Sequence, residues 1–167
     1  VLRGIYEEIL TFPCLCGVSI ATRADCLSES VCELLCEVSE KIPLTVELGL
    51  QSSSDVTAKR ICRGHTMADF EEGYARLRRL VPKAEVCVHI IFGLPGESDE
   101  DMMNTVKKVA ELAPEQVKIH LLHVIKDTPL GDEYLRGDYV PLDRERYISL
   151  VVEALTLLPP ETVICRL

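Results

Sequence analysis

Short apolar segments rich in β-branched residues alternate with amphipathic helical segments along the whole chain. Such alternation favours a parallel sheet whose strands are joined by right-handed helical crossovers. The predicted strands are 17–22, 44–50, 85–92, 117–124 and 162–166. The predicted helices lie near 28–41, 66–81, 99–113 and 143–158, after a helical pattern that begins at Leu2. The sequence therefore predicts an α/β fold of alternating β/α units with a parallel sheet of about five strands.

Helix boundaries are marked by capping residues. Thr66 with Asp69, and Ser98 with Asp101, predict capping boxes. Ser54 is a predicted N-cap of a short helix that runs to residue 62 and ends before Gly64. The predicted buried stripes are Phe70, Tyr74, Leu77 and Val81 on one helix, and Met103, Val106, Ala110 and Ala113 on the next. Residues 126–141 are expected to form a loop, either a solvated connector or a cover for a site.

Charge and hydropathy limit the partners. The 18 basic and 27 acidic residues give a net charge of −9, which disfavours a nucleic-acid partner held by a broad basic surface. Aromatic residues make up 5% of the chain and Trp is absent, so few stacking platforms are available. No apolar run approaches the roughly 18–20 residues of a membrane span, and no signal-peptide pattern opens the chain. We expect a cytoplasmic protein without a membrane partner.

Eight cysteines without a secretory signal are typical of reduced thiols. They contain no C-x2-C pair, so the chain has no complete zinc-ribbon or iron–sulfur ligand loop. Cys32 and Cys36 lie one helical turn apart and could share a metal, although a pair of small packing residues is the favoured interpretation. No metal site is therefore predicted in this chain.

Polar residues share one face in four of the predicted strands. Alternate side chains of a strand point to opposite faces, and one parity is apolar throughout. The other parity carries Ser19, Ala21 and Arg23; Glu47, Gly49 and Gln51; Cys87, His89 and Ile91; and Lys118 and His120. Because the carboxyl ends of barrel strands form the reaction face, this pattern predicts a ligand site there.

Structural explanations compete with each functional one. A single inward histidine is more often a hydrogen-bonded core residue than a ligand, and Glu47 and Lys118 are able to satisfy each other across the sheet. The segment Gly93-Leu-Pro-Gly96 is equally compatible with a tight strand-to-helix turn and with a nucleoside or phosphate loop.

Five segments in order carry a family resemblance: ELGLQSSSD, RGHT, HIIFGLPGESDEDM, KIHLLHVIKDTPL and LPPETVICRL. Together they closely resemble the later part of the radical S-adenosylmethionine (radical SAM) barrel. The nearest group is the YhcC-type radical SAM proteins, and coproporphyrinogen dehydrogenases and the elongator catalytic subunit share looser versions of the motifs. The resemblance covers the whole chain and implies a partial TIM-like barrel with a curved sheet. Residues 1–167 would then be a single domain, the C-terminal portion of the barrel.

The resemblance also implies chemistry. In this family a [4Fe–4S] cluster gives one electron to S-adenosylmethionine, and the resulting 5′-deoxyadenosyl radical abstracts hydrogen from a substrate. By matching motif, Gln51 resembles the side chain beside the methionyl and ribose groups, and Arg63 the partner of the carboxylate. His89 stands where the dehydrogenase relatives carry an Asp. Glu47 shares the face of Gln51, and the backbone at Phe92-Gly93 and Val124-Ile125 would flank the adenine.

Two features depart from the family pattern. The cluster-binding cysteines of the family lie before Val1, so we expect the chain to be inactive alone and to form part of a longer enzyme. Ala21 stands where relatives present an acid, and Arg23 and Asp25 are candidates to compensate. A cut barrel leaves two strand edges, which we expect to pair in a homodimer.

Two other functions remain open. One is a cofactor-free binding or scaffold module on the same half-barrel. The other is a metal-independent barrel enzyme that uses Glu47, Lys118 and His120 in acid–base or Schiff-base chemistry.

Overall fold

A computed structural model describes residues 1–167 of the protein. Its strands are β1 (Val18–Thr22), β2 (Leu44–Gln51), β3 (Glu85–Phe92), β4 (Gln116–Leu121) and β5 (Val163–Arg166). Its helices are α1 (Leu2–Ile9), α2 (Glu29–Ser39), α3 (Asp55–Arg60), α4 (Met67–Leu80), α5 (Asp99–Leu112), α6 (Pro129–Arg136) and α7 (Arg144–Leu157), with a short 3-10 helix at Ala24–Cys26. None of the helices combines the length and the apolar character needed to cross a bilayer.

The five strands form one parallel sheet in sequence order, β1-β2-β3-β4-β5. The first and last strands are not neighbours, so the sheet is open. The predicted α/β fold with about five parallel strands, a partial barrel, is confirmed. In the first pair, Ala21 of β1 lies opposite Glu47 of β2. In the last pair, an irregularity between Val117 and Lys118 brings Lys118 opposite Arg166.

The strands follow the predicted alternation of burial. In β2 every second residue from Leu44 is buried, whereas Thr45, Glu47, Gly49 and Gln51 are half-buried. In β4 the pattern puts Val117 and Ile119 in the core and leaves Lys118 and His120 half-buried. The polar parity therefore lies on the less buried face, as the sequence predicts.

Two compact units make up the chain. The first contains Val1–Leu50 and His65–Cys87, and in it α4 packs against the 3-10 helix that follows β1. Gly73 makes this packing possible, because a Cβ atom there would lie 2.2 Å from the carbonyl oxygen of Ala24. The predicted stripe of Phe70, Tyr74, Leu77 and Val81 is buried.

The second unit contains Gln51–Gly64 and Val88–Leu167. Here α5 packs against α7, with Val106 and Val109 of α5 and Leu150 and Ala154 of α7 buried in the core. The apolar side chains of β3 join this core, since Ile90 and Phe92 are almost completely inaccessible to solvent.

Both predicted capping boxes are present. The Thr66 hydroxyl accepts a hydrogen bond from the amide of Asp69, whose carboxylate accepts from the amide of Thr66. Ser98 and Asp101 make the same reciprocal pair at the start of α5. Each box satisfies two amide donors that a helix start would otherwise leave without partners.

The prediction for residues 117–141 is partly wrong. β4 ends at Leu121 rather than at residue 124, and the predicted loop 126–141 contains α6. The signals for this helix are local: Thr128 caps it by accepting from the amide of Gly131, and Pro129 occupies its first turn. Gly137 ends it in the left-handed region.

Two helix details also differ from the prediction. The buried positions of α5 are Met102, Thr105, Val106 and Val109 with Met103, whereas Ala110 is half-buried and Ala113 is the exposed left-handed C-cap. The helix is thus rotated by about one residue relative to the predicted stripe. Helix α3 is capped by Ser54 as predicted but ends at Arg60, before the left-handed Cys62.

Candidate functional site

Gln51 ends β2 in an unusual backbone conformation. Its φ of 74° lies in the left-handed region, which costs a residue with a side chain roughly 1–2 kcal/mol. A hydrogen bond anchors the segment that follows: the amide of Ser53 donates to the Thr105 hydroxyl at 3.0 Å. The bend turns the chain directly from the end of β2 into α3, and leaves the Gln51 side chain half-buried at the carboxyl end of the strand.

Glu97 is the residue that the sequence reasoning missed at this site. The buried hydroxyl of Ser52 donates to its carboxylate, and the same hydroxyl accepts from the amide of Ser54 at 3.0 Å. Burial raises the pKa of the Glu97 carboxyl, and hydrogen bonding from Ser52 and Thr57 acts in the opposite direction. Glu97 therefore fastens the segment after Gln51 to the turn after β3.

Gly93 is required by its conformation and by its neighbours. Its φ is +87°, and a Cβ atom there would lie 3.2 Å from Leu142. Its carbonyl accepts a hydrogen bond of 2.7 Å from the Tyr139 hydroxyl, and its amide lies 3.2 Å from the sulfur of Met102. The tight-turn interpretation of this glycine is therefore confirmed, and its role in ligand binding stays a prediction.

Arg63 lies in a short turn after α3. The turn is shaped by left-handed backbone on both sides, at Cys62 with φ 53° and at Gly64 with φ 84°. The amide of Arg63 donates to the carbonyl of Ala58 at 2.8 Å. This arrangement keeps the guanidinium half-buried at the end of α3.

His89 lies beside a second imidazole. The ring centroids of His89 and His120 are 5.2 Å apart, and the planes are inclined by 42°. Both side chains are half-buried on the polar parity of β3 and β4.

Val124 lies outside the strand in which it was predicted. It belongs to the connection between β4 and α6, which begins with a hydrogen bond of 3.0 Å from the amide of Leu122 to the carbonyl of Phe92. This bond brings the start of the connection against the end of β3, one residue before Gly93. The two segments expected to flank the adenine are therefore neighbours.

Two clefts open beside this connection. An apolar cleft of about 430 Å³ is lined by Ile91, Leu94 and Leu122, and the ion pair of Arg60 with Glu133, at 2.6 Å, lies at its edge. A second cleft of about 530 Å³ is lined by Val124, by Leu142 and by charged side chains of α6 and of the segment before it. Both volumes are in the range of small-molecule sites.

Glu47 lies in the first unit and is engaged there. Its carboxylate accepts a hydrogen bond of 2.6 Å from the Ser19 hydroxyl on β1. At the end of the same strand, Arg23 pairs with Asp25 at 2.6 Å, and this hydrogen bond lowers the pKa of Asp25. The positions predicted to compensate for Ala21 therefore form an ion pair.

His65 of the RGHT segment has the environment of a core residue. It is buried, its Nδ1 lies 3.2 Å from the Thr66 carbonyl, and its ring stacks on Phe70 with centroids 6.2 Å apart.

Among the cysteines, Cys32 and Cys87 are buried and the others are exposed or half-buried thiols. No three His, Cys, Asp or Glu side chains of the chain come together in a group able to hold a metal ion.

Comparison with known proteins places this arrangement in a family. The profile of the Radical SAM superfamily matches residues 4–109, and that of the Radical SAM C-terminal domain matches residues 114–167. The chain is 42% identical to the uncharacterised protein YtqA of Bacillus subtilis over 167 residues, which are 100% of this chain and 51% of YtqA. It is 33% identical to YhcC of Escherichia coli over 170 residues, covering 100% of this chain and 54% of YhcC.

A solved structure shares the fold. Elp3 from Methanocaldococcus infernus superposes with a TM-score of 0.77 and 27% identity, over 89% of this chain and 34% of that one. The chain spans about half the length of the curated relatives it matches. With the two profile matches and the shared parallel sheet, these similarities establish that the chain belongs to the radical SAM superfamily and resembles its YhcC-type members.

Proposed function

We propose that the chain forms the S-adenosylmethionine-binding wall of a radical SAM enzyme, through Gln51, Arg63, His89, Gly93 and Val124, with Glu47 on the same face of β2 as Gln51. Membership of the superfamily supports the proposal. The observation that carries it is the Ser52–Glu97 hydrogen bond, because it fastens the segment after Gln51 to the turn after Gly93. When bound to a [4Fe–4S] cluster, the cofactor supplies a 5′-deoxyadenosyl radical able to abstract hydrogen from a substrate.

Arg63 would hold the carboxylate of the cofactor. A guanidinium presents paired N–H donors that match a carboxylate bidentately, and it stays charged at any working pH. Arg63 is half-buried, in a turn shaped by the left-handed residues Cys62 and Gly64.

Gln51 and His89 would contact the polar middle of the cofactor. The Gln51 amide both donates and accepts, which suits a ribose hydroxyl or the methionyl amine. A neutral imidazole at His89 accepts a hydrogen bond from a ribose hydroxyl, in place of the Asp of the dehydrogenase relatives.

The adenine would lie at the junction of β3 with the β4–α6 connection. The backbone at Phe92-Gly93 and Val124-Ile125 supplies donors and acceptors there, and Ile91, Leu94 and Leu122 line the neighbouring apolar cleft. Such a site excludes water from one face of a flat heterocycle while the backbone fixes its orientation.

The cluster would be held by cysteines of the longer protein. The chain provides no group of three ligands for it, and the relatives are about twice as long. We propose that upstream cysteines ligate the [4Fe–4S] cluster and that the chain described here does not cleave S-adenosylmethionine alone.

Calorimetry on the full-length protein tests the proposal. After anaerobic reconstitution with iron and sulfide, we expect S-adenosylmethionine to bind, and Arg63→Lys to weaken binding by at least about tenfold because the paired donors are lost. Arg79→Lys is the matched control, since Arg79 is an exposed residue of α4 that pairs with Glu29. Wild-type protein that binds no S-adenosylmethionine would contradict the proposal, and an unaffected Arg63→Lys variant would contradict the role of Arg63.

A further inference from the structure

A third pocket, of about 370 Å³, lies at the carboxyl ends of β4 and β5. Its polar lining comes from His120, His123, Tyr147 and Arg166, and its other lining residues are apolar. No Asp or Glu side chain lines it, although the chain has 27 acidic residues and a net charge of −9. Ligands of α/β sheets bind at this end of the strands. The pocket therefore combines the expected location of a ligand with a donor-rich lining that the overall charge does not predict.

Tyr147 lines the pocket and has a buried hydroxyl. Its hydroxyl oxygen is inaccessible to solvent and makes no hydrogen bond within the protein. Burial raises the pKa of this phenol, so the proton is retained at neutral pH. A buried hydroxyl without a partner is unfavourable, and an acceptor from a ligand would remove the penalty. The ring lies edge-on to the buried Phe92, with centroids 6.3 Å apart.

Arg166 adds a full positive charge at the end of β5. It lies opposite Lys118 in the β4–β5 register, so two cationic residues are paired across these strands. Guanidinium groups recognise carboxylate and phosphate oxygens through paired N–H donors. The imidazoles of His120 and His123 complete the polar part of the lining.

We propose that this pocket binds an oxyanion, the carboxylate or phosphate group of a small molecule, with Arg166 and Tyr147 as its principal donors. The oxyanion belongs to the substrate of the enzyme, and that identification rests on the function proposed above. Binding of the anion itself does not depend on S-adenosylmethionine, whose carboxylate is assigned to Arg63.

Titration of the full-length protein with simple anions tests the pocket. Inorganic phosphate and acetate are titrated separately by calorimetry, at constant ionic strength and without S-adenosylmethionine. We expect saturable binding of one of them, weakened at least about tenfold by Arg166→Gln and about three- to tenfold by Tyr147→Phe. Tighter binding of phosphate would identify the anionic group of the ligand as a phosphate ester, and tighter binding of acetate would identify it as a carboxylate.

Control variants separate an effect on this pocket from a loss of fold. Arg79→Gln should bind the anion as the wild type does. Tyr147→Phe should unfold at the same or a higher temperature, because it removes an unpartnered buried hydroxyl while keeping the ring against Phe92. The proposal is overturned if neither anion binds saturably, or if binding is unchanged in both Arg166→Gln and Tyr147→Phe.

Discussion

Glu97 is a partly buried acid that connects two loops of the candidate site. Because burial raises the pKa of its carboxyl above the ordinary value of 4.5, the folded protein favours the neutral form more than the unfolded protein does. This contribution to stability is complete below the unfolded-state pKa and is lost as the pH rises through the raised value. The difference in the free energy of unfolding between the wild type and a neutral variant at position 97 separates this effect from those of the other carboxylates.

We expect Glu97→Gln to remove this loss of stability on the alkaline side of pH 4.5, because the amide stays neutral and still accepts from Ser52. Glu97→Ala should be less stable than Glu97→Gln by about 1–3 kcal/mol, because it leaves the buried Ser52 hydroxyl without its acceptor. Urea unfolding of the three proteins at pH 5 and pH 7.5 measures both effects. Equal stability of the two variants would show that Ser52 does not depend on residue 97.

Glycine is required at position 73 by close packing and not by a positive φ. We expect Gly73→Ala to lower the free energy of unfolding by about 1–3 kcal/mol or more, because its Cβ would lie 2.2 Å from the backbone oxygen of Ala24. Gly4→Ala is the matched helical control, since no atom lies within 4 Å of the added methyl group. The control should be neutral or stabilised by up to about 1 kcal/mol. Chemical unfolding that ranks the two variants in the opposite order would contradict the close approach of α4.

At the level of elements, the helices with strong end signals were predictable. The boxes at Thr66 and Ser98 place the starts of α4 and α5, because a hydroxyl and an acid three residues apart satisfy the first amides wherever the helix then packs. Helix α6 was missed although Thr128 and Gly137 flank it and Pro129 is its first residue. Eight residues form too short a periodic segment for the apolar pattern to stand out.

The candidate site was predictable only in part. Strand parity placed Glu47, Gln51, His89 and His120 on the polar face, since the two-residue period follows from strand geometry alone. The partners of Glu97 were not predictable, because Ser52 lies 45 residues away in sequence and no local pattern reports such a contact. The buried hydroxyl of Tyr147 was hidden for the same reason, since burial depends on the tertiary packing around it.

The contribution of the α4 capping box to stability can be tested by mutation. Thr66→Ala should lower the free energy of unfolding by about 1 kcal/mol, because the amide of Asp69 loses its acceptor. Thr156→Ala, at an exposed position inside α7, should be neutral or slightly stabilising, since alanine has the higher helix propensity. Both values come from urea unfolding, and a Thr66→Ala protein as stable as the Thr156→Ala protein would contradict the cap.

At the scale of the whole molecule, the sheet is open and the chain spans about half the length of the relatives it matches. The strand order leaves β1 and β5 at the two edges, and the expected pairing of these edges in a homodimer stays a prediction. The relatives are about twice as long, and the reaction proposed above is assigned to a protein of that length and not to these residues alone. Within it, the chain described here would contribute the cofactor wall around Gln51, Arg63 and Gly93.

The most direct measurement is reductive cleavage of S-adenosylmethionine by the full-length protein, reconstituted anaerobically with iron and sulfide. We predict that a strong reductant yields 5′-deoxyadenosine and methionine. At subsaturating S-adenosylmethionine, Arg63→Lys should lower the rate at least about tenfold, and Arg79→Lys should leave it unchanged. A protein that carries its full complement of cluster and forms no 5′-deoxyadenosine would contradict the account.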